Sequence, residues 1–120
     1  MSIENNKTIV NRFFRDGLSA GRIDILEGIL APDCLYNDAG RPKFSNRKDF
    51  IEYVREGRKP YSNIDIVVDD VVAENNRVAV RCTYHLEKEN DQLSLSVMGF
   101  FHLDRGKIVH IWRNIVVSDD

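Results

Sequence analysis

The chain has little cysteine, proline or tryptophan, no surplus of either charge and no long apolar run, and each scarcity excludes something. Its two cysteines, Cys34 and Cys82, stand in no CxxC or zinc-type spacing, so neither a cysteine metal centre nor a disulfide-stapled scaffold is indicated. Free thiols in a reducing compartment are expected, with a single Cys34–Cys82 bridge as the alternative. Lysine and arginine total 17 against 19 aspartates and glutamates, a net charge of −2. That balance leaves no basic surplus for nucleic acid and no polybasic run for a membrane surface. The longest apolar runs fall far short of a bilayer span, and "MSIENNKTIV" has no signal-peptide core, so a cytoplasmic location is expected. There is no glycine-rich phosphate loop and no nucleophile elbow, and His85, His102 and His110 lie in separate segments. Neither a cofactor nor a metal is expected.

What remains is the composition of one ordinary globular domain spanning 1–120. The first half reads as helical. Ile9, Val10, Phe13, Phe14 and Leu18 recur at helical spacing from Glu4 to Leu18, and Gly17 and Gly21 weaken and then end that helix. Ile25, Leu26, Ile29 and Leu30 mark a short second helix stopped by Pro32. A third, capped by Ser45 or Asn46, carries Phe50, Ile51, Tyr53 and Val54 and ends at Gly57. The second half reads as strands: "NIDIVVDDVVAE", a turn at Asn75-Asn76, "RVAVRCTYHLE", a turn at "KEND", "LSLSVMGFFHL", a turn at "DRG", and "KIVHIWRNIVV". Helices followed by an antiparallel meander give an α+β class, with helices on one side of a curved sheet.

The last hairpin allows a face assignment. A three-residue "DRG" turn would pair Leu103 with Lys107, Phe101 with Val109, Gly99 with Ile111 and Val97 with Arg113. One face then carries Leu95, Val97, Gly99, Phe101, Val109, Ile111, Arg113 and Ile115, apolar but for one arginine. Met98, Phe100, His102, His110, Trp112 and Asn114 fall on the other, also too apolar to be fully wet. Both faces therefore call for cover, one by the helices and one by a second subunit. A buried Arg113 requires an anionic or hydrogen-bonding partner: Asp38, or an oxygen of a ligand. A bulge before Trp112 would instead turn Asn114 inward.

"VNRFF…AGRIDILEGILAPDCLYND", "NRVAVRCTY" and "GFFHLDRGKIVHIW", in this order and covering nearly the whole chain, resemble the nuclear transport factor 2-like superfamily. That group includes ketosteroid isomerases, SnoaL-like polyketide cyclases and limonene-epoxide hydrolases. The resemblance implies a cone-shaped curved mixed or antiparallel sheet wrapped on three N-terminal helices, a pocket at its open end and pairing of subunits through the outer sheet face. It puts Asp38 where ketosteroid isomerases carry their proton-shuttling aspartate. It puts Phe13 or Phe14, and Gly99, where those enzymes carry their enolate-stabilising tyrosine and aspartic acid. Tyr36 and Asp38 match the water-holding tyrosine–asparagine pair of the epoxide hydrolases and Arg81 their arginine, while Thr83 and Asn114 replace the two aspartates.

These positions define the candidate site: Asp38 as general base, Arg113 or Arg81 as anion stabiliser, Tyr36 and Tyr53 as positioning hydroxyls, and Thr83, Gly99 and Asn114 as further pocket residues. Each has a structural alternative. Asp38 beside Ala39-Gly40 suits a turn, Tyr53 suits the core, and Asp69-Asp70 suit a solvated surface. For the strand around Arg81, hydrophobic alternation turns Val78, Val80, Cys82, Tyr84 and Leu86 inward, whereas the resemblance turns Arg81 and Thr83 inward. The functional expectation is a small-molecule pocket protein, a cofactor-free isomerase or cyclase acting on an enolisable, largely apolar carbonyl compound. The alternative is a non-catalytic ligand-binding or dimerisation module of the same fold.

Overall fold

A computed structural model of the chain describes residues 2–117. The N-terminal helix α1 (Ile3–Arg12) starts at Ser2, whose Oγ accepts from Asn5 N at 3.1 Å. It runs on without a break as a π-helical segment, Phe13–Ser19, which buries Phe13, Phe14, Gly17 and Leu18. A Cβ on Gly17 would lie 2.4 Å from Leu26 Cδ2, so α2 (Ile23–Ile29) packs directly on the backbone at that point. Strand β1 (Leu30–Asp38) follows at once, then a short β2 (Arg41–Phe44) and α3 (Arg47–Arg58). Asn46 caps α3, accepting from Asp49 N at 2.8 Å. Four long strands complete the chain: β3 (Asn63–Glu74), β4 (Arg77–Lys88), β5 (Asp91–Asp104) and β6 (Lys107–Val117).

The six strands form one sheet in the order β2-β1-β6-β5-β4-β3. The meander β3 to β6 is antiparallel, as the turn signals predict, whereas β1 lies parallel to β6 and brings the first half of the chain into the sheet. Helices cover its inner face, which contributes Tyr36, Val80, Val97, Phe101 and Ile111 to the core along with Phe13, Phe14 and Phe50. Gly99 belongs to this packing: a Cβ there would meet Val80 at 3.2 Å and the Phe14 ring at 3.6 Å, so its bareness lets that ring close on the sheet. Cys34 and Cys82 are buried and unbridged, the free thiols expected.

The β5–β6 register differs from the expected one. Asp104 pairs with Lys107 across a two-residue turn, Arg105-Gly106, with φ of 53° and 79°. A bulge then leaves Val109 unpaired between Ile108 and His110. Ile108 therefore takes the inner position expected of Val109. Beyond the bulge the expected alternation returns, so that Ile111 and Arg113 face inward and Trp112 and Asn114 outward.

Candidate functional site

The inner face runs out beyond the helical core into a cavity of about 260 Å³ at the open end of the cone. Tyr53, Val54 and Gly57 of α3 form one wall. Ile64 and Ile66 of β3, Tyr84 and Leu86 of β4, Leu95 of β5 and Ile115 of β6 form the sheet side. Leu18, Arg58, Tyr61 and, from β6, Arg113 complete the lining. Arg58 is fixed there because Nη1 donates to the carbonyls of Leu18 and Ser19. Ser19 in turn ties the helix to the edge strand, donating Oγ to Ile64 O at 3.0 Å and accepting from Ile66 N at 3.2 Å.

Arg113 is the charged group inside. It is 6% exposed and lines the cavity; Nε donates to Tyr36 Oη at 2.9 Å and Nη1 to Tyr84 Oη at 3.2 Å. Arginine stays protonated in proteins, so this is a buried cation. Its two partners do not neutralise it. Burial pushes the Tyr36 phenol up to about 12, with Arg113 opposing, and burial raises Tyr84 against the same opposition. Both phenols are therefore neutral at physiological pH and answer the guanidinium with hydroxyl dipoles alone.

Asp38 is not that partner. It is the last residue of β1, paired with Arg41 of β2, and is followed by the turn residues Ala39 and Gly40 at φ 50° and 81°. Its register puts it beside Arg113 on the neighbouring strand, but the two are joined through backbone, Ala39 N donating to Arg113 O at 3.1 Å. The Asp38 carboxylate, about a third exposed, pairs with Lys43 Nζ at 3.6 Å, and that ammonium lies 4.1 Å from the centroid of the Tyr53 ring. Asp38 and Tyr36 do not line the cavity; Tyr53 does.

Two other expected pocket residues face the opposite way. Arg81 projects from the outer face of β4, where Nε and Nη2 donate to Asp70 Oδ2 at 2.9 and 2.7 Å. Thr83 donates to Asp69 Oδ2 at 2.7 Å on the same side. A register shift between Val68 and Asp70 lets both neighbouring aspartates reach these groups, so Asp69-Asp70 form an ionic cluster on the sheet rather than free surface. Hydrophobic alternation was the sound guide here: Val78, Val80, Cys82, Tyr84 and Leu86 are the buried set. Asn114 is exposed opposite Met98, and Gly99 lies under Phe14, so neither lines the cavity. Tyr84 and Arg58 were not anticipated as site residues; the alternation that buries Tyr84 contained the signal, while Arg58, the last residue of α3, lies one residue beyond the helix end expected at Gly57.

A helix-backed, curved, unclosed sheet with a cavity at its open end defines the nuclear transport factor 2-like fold. The family model of the SnoaL-like domain matches residues 10–111, and the chain belongs to that family. Solved structures agree on the fold. A candidate SnoaL-like polyketide cyclase from Jannaschia sp. CCS1 is 16% identical, with TM-score 0.85 over 96% of this chain and 88% of that one. An epoxide hydrolase of the limonene-epoxide hydrolase type from M. tuberculosis is 17% identical, with TM-score 0.81 over 95% and 84%. A hypothetical protein with a ketosteroid isomerase-like fold from Catenulispora acidiphila is 11% identical, with TM-score 0.76 over 88% and 82%. No curated protein sequence matches the chain significantly.

Proposed function

We propose that the chain is a cofactor-free isomerase or cyclase of the SnoaL-like kind, working in the cytoplasm on a small, largely apolar, enolisable carbonyl compound. The observation that carries this reading is the apolar cavity with hydrogen-bond donors gathered at one end: Arg113, held between the Tyr36 and Tyr84 hydroxyls. Donors fixed in a dry site stabilise an oxygen that acquires negative charge, and one such donor is worth about 3 kcal/mol of barrier. Asp38 is the base. It takes the proton from the carbon next to the carbonyl, and the electron pair moves onto the carbonyl oxygen, which Arg113 and a tyrosine hydroxyl hold. The enolate then takes that proton back from Asp38 at another carbon, or attacks a second carbonyl in the same molecule, whose oxygen takes the electron pair and then the proton from Asp38.

Asp38 must leave Lys43 to do this. The pair is solvent-accessible, with separation 3.6 Å, and opening such a pair costs about 0–1 kcal/mol, small against the gain at the transition state. Asp38→Asn should lower turnover by roughly 10²–10⁴-fold while leaving the melting temperature within a degree or two. Unchanged turnover on a true substrate would remove Asp38 as the base.

One observation favours a second reading, a non-catalytic ligand carrier: Asp38 does not line the cavity. In that case ligands bind the wild type and Asp38→Asn with equal affinity and neither turns them over. Both readings include a homodimer through the outer sheet face, where Met98 and Phe100 are exposed.

A further inference from the structure

We infer that the ligand of this cavity enters it already as an anion: a small apolar carboxylate whose charged group is received by Arg113. The inference rests on the pocket reading above and narrows it, because that reading asks Arg113 only to meet charge that develops during reaction.

The cavity's charge inventory is one-sided. Arg113 is buried and Arg58 stands on the lining, and among the described residues no aspartate or glutamate lines the cavity. Among the described residues no carboxylate lies within ion-pair distance of Arg113. Asp38, beside Arg113 by register, is taken by Lys43, and Asp69 and Asp70 are taken by Arg81 on the far face of the sheet. An uncompensated guanidinium buried in protein costs several kcal/mol relative to water. Its phenol partners recover part of that through two hydrogen bonds, which occupy Nε and one edge of Nη1. A guanidinium has five N–H donors in a planar fork suited to a carboxylate, so donors remain for a ligand on the cavity side.

Size and lining specify the rest of the molecule. At roughly 30 Å³ per water, the cavity of about 260 Å³ takes about nine non-hydrogen atoms, and its open end lets a slightly longer ligand protrude. Ile64, Ile66, Leu86, Leu95 and Ile115 offer its tail no polar contact. A single-ring aromatic acid or a medium-chain fatty acid has these dimensions and this polarity.

Isosteric pairs test the inference, since a carboxylic acid and its primary amide differ in charge and hardly in shape. The four acids benzoate, phenylacetate, cinnamate and octanoate would be titrated calorimetrically at neutral pH beside their amides. At least one acid should bind the wild type about 30-fold more tightly than its amide, the scale of a charge-assisted hydrogen bond. Arg113→Met should abolish that preference, weakening acid binding at least about tenfold more than amide binding. Equal binding of acid and amide in every pair overturns the charge inference and leaves the pocket reading standing. Binding of no member of any pair at about 10 mM, the weakest useful affinity, overturns both. If Arg113→Met does not fold, the Arg113 Nε–Hε resonance of the wild type decides: it should move with the acid and not with the amide. A stationary resonance in the presence of bound acid overturns the inference.

Discussion

At the scale of single residues, the cluster Arg113–Tyr36–Tyr84 ties the site to the stability of the fold. The Tyr36 phenol, pushed up to about 12 from 10.0 chiefly by burial, keeps its proton in the folded chain when the unfolded chain has released its own. A group whose pKa is raised on folding contributes stability that is complete below its unfolded value and is lost as pH climbs through its folded value. Between pH 10 and 12 the protein should therefore lose stability, by about 2 kcal/mol from Tyr36 at 1.36 kcal/mol per unit. Urea titrations across that window measure it. Tyr36→Phe should flatten the slope; an unaltered slope would mean that the phenol ionises alike in both states. Arg113 was legible in the sequence because β6 alternates regularly beyond Val109 and the inward residues on either side of it, Ile111 and Ile115, are aliphatic. Its phenol partners were not legible as partners, because they come from β1 and β4, strands whose lateral order no local pattern encodes.

At the scale of elements, the contact between the π-helical segment and α2 depends on one missing methyl group. Gly17→Ala would drive a Cβ to 2.4 Å from Leu26 Cδ2, and the surroundings are close-packed on both sides. Overpacking of this kind costs about 1–3 kcal/mol, which chemical denaturation should show as a lower midpoint with an unchanged slope. A loss below a few tenths would mean that α2 can slide away. Element type was well encoded where periodicity ran long: β3 begins and ends where "NIDIVVDDVVAE" does. Failures cluster at tight turns. Arg105 and Ala39 adopt positive φ without being glycine, so the "DRG" turn is one residue shorter than expected and the Ala39-Gly40 turn opens a hairpin. Its second strand, "RPKF", was missed because four residues with two cations and a proline show no alternation. Around Arg81 the sequence held the right answer in its alternation, and the resemblance overrode it.

At the scale of the whole molecule, the outer sheet face remains apolar at its centre. Met98 and Phe100 are 56% and 41% exposed, and Phe100 packs its edge on Trp112, whose ring stacks on His110 at 3.6 Å. A second copy laid on this face would cover them all. Light scattering should return twice the mass of the 13.9 kDa chain for the wild type and the single mass for Phe100→Asp, with the far-ultraviolet dichroism unchanged. A wild-type monomer at tens of micromolar would leave the face without its partner.

The strand order has a consequence for biosynthesis. Strand β6, the last of the six in chain order, is not at an edge but between β1 and β5, and it alone pairs β1 with the strands of the meander. A ribosome that has delivered β5 has released almost all the apolar residues of the core and none of the strand that closes it. Helices and hairpins can form on the nascent chain, since their contacts are local, but the whole sheet must wait for β6 to leave the exit tunnel. The sheet thus closes only once β6 has emerged, and the interval in which Cys34, Tyr36 and Phe101 lie bare is the interval in which a chaperone has something to hold.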